Sequence, residues 1–577
     1  MKKLMIGNEA VARGLYEADC KFISSYPGTP STEITEFAAE YDELYAEWAP
    51  NEKVAMEGAL GASISGARSF CAMKHVGLNV AGDPLFIGAY VGAEGGMVIA
   101  VADDPGMHSS QNEQDSRHYA MAAKLPMLEP SDSTDCLVFT REAFALSEKF
   151  DTPFIIRTST RVAHSQSIVE LGERQESTIK PYEKNIAKHV MAPANAIKRH
   201  VVVEDRLSAI AEWANTCSFN RAEYNDTKIG IICAGSTYVY SREVFGESAS
   251  YLKLGLVNPL PEKLIKEFAS KVDRVIVVEE LDPVIETQVK AMGIECDGKN
   301  KLPILGEFSQ EVVKKCLLGE ENEFNKIPDE IPGRPPVLCP GCPHRGLFFV
   351  LKKLGVTVSG DIGCYTLGSA PPLSSVDTTL CMGASIAGLH GMNKSGGIDP
   401  KKSVAVIGDS TFCHSGLTGI MNMVYNKAHS TVIICDNSIT GMTGHQQNPA
   451  TGMTLKNEPT HKMSIEGVVA ALGVNDIKIV DPNEIKELEA AIKDSLTKEE
   501  VSVIITRRPC VLLKSVKKDR FFTVNSDKCK SCKACMKIGC PAISFKDGKA
   551  VIDTTLCTGC DLCTKMCAFG AIEENKR

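Results

Sequence analysis

Eight of the 22 cysteines in this 577-residue chain fall between Cys529 and Cys567. The first run is Cys529, Cys532, Cys535 and Cys540, with Pro541 after it; the second is Cys557, Cys560, Cys563 and Cys567. Three cysteines at intervals of three wrap a loop around one face of an iron–sulfur cube, and in two-cluster modules the fourth ligand comes from the other run. The spacing therefore predicts one 4Fe–4S cluster on Cys529, Cys532, Cys535 and Cys567. A second is expected on Cys557, Cys560, Cys563 and Cys540. Zinc or plain structural thiols are the alternative, but zinc sites rarely use four cysteines per run with two such intervals. Four residues separate Cys535 from Cys540, one more than the common ferredoxin spacing, and no proline follows Cys567. A three-iron form is thus the alternative at the site that uses Cys540.

A second candidate site lies upstream. The apolar run Val404-Ala405-Val406-Ile407 leads into Gly408-Asp409-Ser410, and Thr431-Val432-Ile433-Ile434-Cys435 leads into Asp436-Asn437-Ser438. Both polar clusters would stand at the carboxyl ends of parallel strands, where open α/β sheets bind ligands. Asp409 offers a carboxylate oxygen and Asn437 an amide oxygen, the hard donors that suit Mg²⁺ holding phosphate oxygens. Gly-Asp is also a common turn, so the structural reading stays open on these residues alone. The pair, 28 positions apart, resembles the diphosphate motif of thiamine-diphosphate enzymes. That resemblance implies cofactor contacts from Gly408, Asp409, Ser410 and Asn437, and a metal-binding backbone carbonyl near Ile439. No Gly-x-x-x-x-Gly-Lys-Ser/Thr occurs, which argues against a nucleotide hydrolase.

Thiamine chemistry also needs a carboxyl group against the aminopyrimidine ring. Glu52 opens a stretch with Met56, Leu60 and Ile64 at four-residue spacing, so a helix is expected from there to about Ala67. Small residues at Ala55, Gly58, Ala59, Gly61 and Ala62 would let it approach a neighbour closely. Glu52 is the candidate activating carboxylate; the bland alternative is a first-turn glutamate favoured by the helix dipole.

These residues need α/β scaffolding. Apolar runs at 70–73 and 97–101 predict buried parallel strands, as do 229–233 and 275–278. The stretch Leu85 to Ala102 is apolar enough to suggest a membrane span, but Glu94 and its glycines argue for strand, turn and strand. A helix is expected over about 415–427. The Pro-rich segment 326–338 predicts a linker. Domains are expected at 1–190, 191–325, 339–513 and 520–577. The formal net charge of −9 does not recommend a nucleic-acid partner. The Lys-rich, soon acidic start shows no signal sequence, and unpaired cysteines in a large chain suit a reducing cytoplasmic setting.

Further stretches carry a more specific resemblance: Tyr26-Pro-Gly-Thr-Pro-Ser-Thr-Glu33, Met73-Lys-His-Val-Gly-Leu-Asn79, Met107-His-Ser-Ser-Gln-Asn-Glu-Gln-Asp-Ser-Arg117, Cys339-Pro-Gly-Cys-Pro-His-Arg345, Asp361-Ile-Gly-Cys-Tyr-Thr366 and Thr440-Gly-Met-Thr-Gly-His-Gln446. With the cysteine module they resemble the 2-oxoacid:ferredoxin oxidoreductases, in particular the large (alpha) subunits of the indolepyruvate branch, over nearly the whole chain. The resemblance implies a multidomain α/β fold with thiamine pyrimidine-binding (1–190), transketolase C-terminal-like (191–325) and diphosphate/Mg²⁺ (339–513) domains, followed by a bacterial-type two-cluster ferredoxin module. It implies substrate contact at Thr29 and a third 4Fe–4S cluster on Cys339, Cys342, Cys364 and Cys510. It also implies oxidative decarboxylation of an aryl 2-oxoacid (indolepyruvate, phenylpyruvate or hydroxyphenylpyruvate) with coenzyme A. A smaller beta subunit and ferredoxin are the implied partners, in a heterodimer or heterotetramer. His75, His344 and His414 lie in or beside these motifs, each either a hydrogen-bonding core group or a catalyst. A 2-oxoacid:ferredoxin oxidoreductase with another substrate, a non-oxidative thiamine decarboxylase and an electron-transfer subunit with a vestigial thiamine fold remain the alternatives.

Overall fold

The computed structural model describes residues 1–322 and 331–577. The chain divides into two units, Met1–Ile327 and Pro328–Arg577. Of the expected linker, residues 326–330 lie outside the described residues, and 331–338 carries no regular secondary structure.

The first unit is built on a seven-stranded sheet. Its order is Leu256–Asn258, Met127–Leu128, Phe154–Ser159, Met97–Asp103, Ser69–Lys74, Phe22–Ser25 and Ala46–Trp48. All neighbours run parallel except the first pair. The three central strands are buried along their full length, so they read as continuous apolar runs rather than alternating ones. Ser25, Lys74, Asp103 and Ser159 therefore all end their strands at one edge. Helix Glu52–Ile64 packs on Phe22–Ser25 and Ser69–Lys74. Asn51 caps it, its side chain accepting the Val54 amide at 2.9 Å.

A five-stranded sheet, Cys296–Asp297, Val275–Val278, Gly230–Ala234, Ser250–Leu254 and Arg221–Glu223, completes this unit. The strand Leu256–Asn258, just after its fourth member, crosses to pair with Met127–Leu128 of the larger sheet. A buried ion network fastens the two. Arg117, 1% exposed, donates to Glu279 at 2.6 Å and to the Glu280 carbonyl at 2.9 Å, while Asp115 accepts its other face. Arg157 bonds Asp103 and Glu129 at 2.8 and 2.6 Å. Each charge is paired with an opposite one, which makes these groups tolerable in the interior.

The segment expected as strand, turn and strand is instead helix Gly82–Val91 followed by strand Met97–Asp103. Pro84 sits in the first helical turn, where it needs no donor. The last turn is held from a distance: Arg199 and Arg206 of helix Pro193–Ala214 donate to the carbonyls of Tyr90 and Ala89 at 2.7 and 2.9 Å. A short apolar run does not itself separate helix from strand. Among the described residues, no helix is long and apolar enough to cross a membrane.

The second unit holds a six-stranded, wholly parallel sheet in the order Thr378–Thr379, Thr357–Gly360, Ser403–Gly408, Thr431–Asp436, Ser502–Arg507, Asp476–Val480. The helical path after Ser403–Gly408 begins at Asp409, earlier than the expected Ser415. It passes through a π-turn at Phe412–Gly416 and continues as Leu417–Tyr425. Such a widened turn often marks a functional site. The C-terminal segment forms two antiparallel pairs, Arg520–Val524 with Ile572–Lys576 and Ile543–Lys546 with Lys549–Ile552.

Candidate active site and cysteine sites

In the first unit, Glu52, Thr29 and His75 gather around the carboxyl end of strand Ser69–Lys74. Glu52 is 5% exposed. Its carboxylate lies over Gly77 so closely that a Cβ there would stand 2.7 Å from Oε1. His75 is buried; Nε2 lies 3.1 Å from the Asn112 carbonyl oxygen, and Nδ1 has no partner. The Thr29 carbonyl accepts the Ser109 hydroxyl at 3.3 Å.

Sequence reasoning missed Lys74 among these residues. Its ammonium is buried and donates to the Ser109 carbonyl at 2.9 Å, and its stem runs beside Gly28. Burial holds its pKa below the ordinary lysine value, opposed by the charges of Asp104 and Glu52. A lysine ending a buried apolar strand was the available signal, because a lone buried cation demands an anionic neighbour. His108, by contrast, is half exposed and pairs with Glu307 at 3.1 Å, apart from this group.

In the second unit, Gly408, Asp409, Ser410, Asn437 and Ile439 line the ends of the two adjacent strands. Asp409 is buried, and one oxygen accepts the Ser410 amide at 2.7 Å while the other, Oδ2, has no partner. Burial, then the neighbouring Asp436, pushes its pKa up to about 8. Asp436 itself is satisfied, accepting Arg507 at 2.7 Å and the Ser438 amide at 3.1 Å. The polar environment thus calls for a cation at Asp409 and not at Asp436. Asn437 Oδ1 faces the Ile439 amide at 3.4 Å, and Ser438 holds a left-handed φ of 62°. The Thr440 hydroxyl reaches Ser410 at 2.9 Å, tying the two loops together. These residues fit an Mg²⁺–diphosphate group: a buried carboxylate oxygen awaits a partner, and an amide oxygen stands on the adjoining strand end.

Tyr365 roofs the site. Its ring packs on Gly408, where a Cβ would fall 2.5 Å away, and its hydroxyl donates to the Ile362 carbonyl at 2.6 Å. His344 meets it edge to face at 6.0 Å and is buried, which pushes its pKa down to about 4. His344 is therefore neutral near pH 7 and packs rather than carrying charge. His414 lies 3.0 Å from the Ser415 hydroxyl at the π-turn. Asp361, in a motif stretch but not foreseen as a site residue, accepts the amides of Gly383 and Ser385 at 2.8 and 2.9 Å and so anchors helix Ala384–Lys394.

The Cys339–Cys342 pair, Cys364 and Cys510, from three distant stretches of sequence, come together beside this site. Burial, then the thiols of Cys510 and Cys339, raises the Cys364 pKa to about 11. Burial, Arg345 and the thiols of Cys364 and Cys339 act on Cys342. A Cβ at Gly441 would stand 3.5 Å from Cys364 Sγ and 3.7 Å from Asn437 Nδ2, so that glycine lies against both sites.

The C-terminal cysteines surround two hollows. One is lined by Cys540, Cys557, Cys560 and Cys563; the other by Cys529, Cys532, Cys535 and Cys567. The Phe522 amide points at Cys557 Sγ and the Ala571 amide at Cys567 Sγ, each at 3.4 Å. Among the described residues no three His, Cys, Asp or Glu side chains close on a point fit for a single metal ion. Hollows ringed by four thiols fit a larger inorganic core.

Two family models match the chain. Residues 13–223 match "Pyruvate flavodoxin/ferredoxin oxidoreductase, thiamine diP-bdg", and residues 361–506 match "Thiamine pyrophosphate enzyme, C-terminal TPP binding domain". The chain is 40% identical to Indolepyruvate oxidoreductase subunit IorA of Archaeoglobus fulgidus, covering 100% of this chain and 98% of that one. It is 41% identical to the subunit of the same name from Thermococcus kodakarensis, over 99% and 97% of the two chains. The 2-oxoglutarate synthase subunit KorA of Archaeoglobus fulgidus is 27% identical over 48% of this chain and 87% of its own length. Similarity at that level over both full lengths places this thiamine-diphosphate-binding oxidoreductase in the indolepyruvate oxidoreductase subunit IorA family of 2-oxoacid:ferredoxin oxidoreductases.

Proposed function

We propose that the chain is the catalytic subunit for oxidative decarboxylation of aryl 2-oxoacids. An arylpyruvate, coenzyme A and two oxidised ferredoxins would give an arylacetyl-CoA, CO₂, one proton and two reduced ferredoxins. The observation that carries this reading is the gathering of Cys339, Cys342, Cys364 and Cys510 beside Asp409, which sets an electron-accepting site against a diphosphate-type site. The names of the full-length relatives supply the aryl substrate.

Bound thiamine diphosphate supplies a carbanion equivalent that activates the keto carbon and accommodates the charge left by departing CO₂. The chain's own residues bind and position. Asp409 and Asn437 would hold Mg²⁺ with the Ile439 carbonyl, and Gly408 and Ser410 would meet the diphosphate. Glu52 would take and return the proton that the aminopyrimidine ring exchanges. Lys74 and Thr29 would receive the substrate carboxylate. The four proximal cysteines, then the C-terminal eight, would hold three 4Fe–4S clusters that pass electrons singly to ferredoxin. A smaller beta subunit completes the enzyme.

The test is anaerobic reduction of methyl viologen by the chain co-expressed with that smaller subunit. Indolepyruvate, phenylpyruvate, pyruvate and 2-oxoglutarate are each offered with and without coenzyme A. Reduction that requires an aryl substrate and coenzyme A supports the proposal. Reduction with pyruvate or 2-oxoglutarate alone moves the chain to another branch. Absence of reduction in a preparation replete with iron and thiamine rejects catalysis.

A further inference from the structure

Arg345 lies between the two sets of cysteines in the second unit. It is 2% exposed. On one side Nε donates to the Cys339 carbonyl at 2.9 Å, and Nη2 donates to the Leu338 carbonyl. On the other, Nη1 donates to the carbonyls of Ile538 and Gly539 at 3.1 and 2.6 Å. Among the described residues every acceptor is a main-chain carbonyl, and no carboxylate there answers the charge of this buried guanidinium. Its electrostatic neighbours are thiols from both sets, Cys540, Cys342, Cys339 and Cys560. A buried cation left without an anion is strongly disfavoured. Thiolate ligands on both flanks would supply that anion.

The same contacts bear on the long gap before Cys540. Residues Ala534–Ile538 form a 3₁₀ turn, and Gly539 follows with a left-handed φ of 65°. A Cβ at Gly539 would fall 2.7 Å from Pro372 and 3.4 Å from Arg345 Nη1. The residue added to the ferredoxin spacing is therefore taken up in a turn whose last two carbonyls Arg345 grips, and the chain emerges with Cys540 facing the hollow it shares with Cys557, Cys560 and Cys563.

We propose that Arg345 is the positioning residue joining the two cysteine sites: it holds Cys540 in place as the fourth ligand of a four-iron cluster and sets a fixed positive charge between that cluster and the proximal one. A cation stabilises the more negative, reduced form of each cluster, so Arg345 raises both potentials. This rests on the iron–sulfur reading above.

The test uses the full chain purified anaerobically, with iron and sulfide counts, EPR-monitored redox titration and thermal melts, on wild type, Arg345→Gln, Arg345→Lys, Gly539→Ala and Cys563→Ser. Arg345→Gln is expected to show an oxidised three-iron EPR signal. Its remaining clusters should be harder to reduce by about tenfold in equilibrium constant, ~59 mV for a one-electron couple. Arg345→Lys should keep much of the potential yet still show the three-iron signal, because one ammonium does not span both carbonyl pairs. Gly539→Ala, with the charge intact, should show the three-iron signal with little change in potential. It decides the positioning claim should Arg345→Gln fail to fold. Four-iron clusters at unchanged potential in a folded Arg345→Gln overturn the proposal, as does a Gly539→Ala protein free of the three-iron signal. Wild type devoid of iron overturns the cluster reading and this proposal together. A loaded wild type that loses iron in Cys563→Ser leaves that reading standing, and the Arg345 and Gly539 variants then judge this proposal alone.

Discussion

The main-chain carbonyl of Asn437 accepts the amide of Cys510 at 2.9 Å. One peptide contact thus couples the strand end that offers a metal ligand to the loop that carries a proximal cysteine. The neighbouring Arg508 amide bonds the Asp436 carbonyl at 3.0 Å in the same way, so the Cys510 loop continues the sheet register and has little freedom to drift. The four-cysteine site and the candidate diphosphate site are tied together here by backbone rather than by side chains.

Cys510→Ser should therefore leave the loop in place and remove only the sulfur. Iron content should fall by about a third if three four-iron clusters are present, thiamine content should hold, and substrate-dependent viologen reduction should be lost. Loss of thiamine along with the iron would show that the loop itself had moved.

Asp409 gives a cation-linked pH dependence. Its folded pKa is raised to about 8 by burial and Asp436, against about 3.9 in an unfolded chain. A carboxyl raised in this way is harmless while protonated in both states. As pH climbs from about 4 to 8, the unfolded form ionises first, and folded-state stability falls. In protein stripped of Mg²⁺ and thiamine, Asp409→Asn should melt several degrees above wild type at pH 8.5 and alongside it at pH 4.5. Adding Mg²⁺ with thiamine diphosphate should raise wild type past the variant. Equal melting at both pH values would mean that Asp409 is not buried as a free acid.

Sequence and structure meet unevenly, for identifiable reasons. The central strands Ser69–Lys74, Met97–Asp103 and Thr431–Asp436 were legible because full burial forces an unbroken apolar run. Helix Gly82–Val91 was not, because the groups that satisfy its last carbonyls, Arg199 and Arg206, lie more than a hundred residues away. The π-turn at Phe412–Gly416 hid the true helix start at Asp409 behind a glycine and polar residues that read as loop. Triplet spacing places each cysteine run on one loop, since that geometry is local. The gathering of Cys339, Cys342, Cys364 and Cys510 depends on three separate segments of chain, so family likeness suggested it where spacing was silent. Arg345 was invisible as a site residue because its distinguishing property is burial of charge, which a sequence does not display; for Lys74 the one hint was its place at the end of an apolar strand.

Gly77 tests how closely Glu52 must be placed. An alanine there would press its Cβ to within 2.7 Å of Oε1 and displace the carboxylate, although Ala suits a helix better than Gly. Gly77→Ala should fold normally and keep all iron. Its kcat should fall by about 100-fold, the scale of an ångström-sized misplacement of a reacting group. Glu52→Gln should lose activity altogether at the same iron content. Wild-type kcat in Gly77→Ala would remove Glu52 from proton transfer.

Lys74 offers the sharpest division between binding and chemistry. Among the described residues its buried ammonium donates to one carbonyl, that of Ser109, and it shares its edge of the sheet with Thr29 and Glu52. Hydrogen bonds to a charged group contribute about 1.5–3 kcal/mol, so Lys74→Met should raise KM for the 2-oxoacid roughly 10- to 100-fold. An interaction made equally with substrate and transition state changes KM and leaves kcat near wild type. Lys74→Arg, which keeps the charge on a longer and planar group, should recover part of the affinity. Steady-state kinetics with saturating coenzyme A separate the two constants. A fall in kcat at unchanged KM would instead make Lys74 a partner of Glu52 and Asp104, and the substrate carboxylate would then need a different anchor.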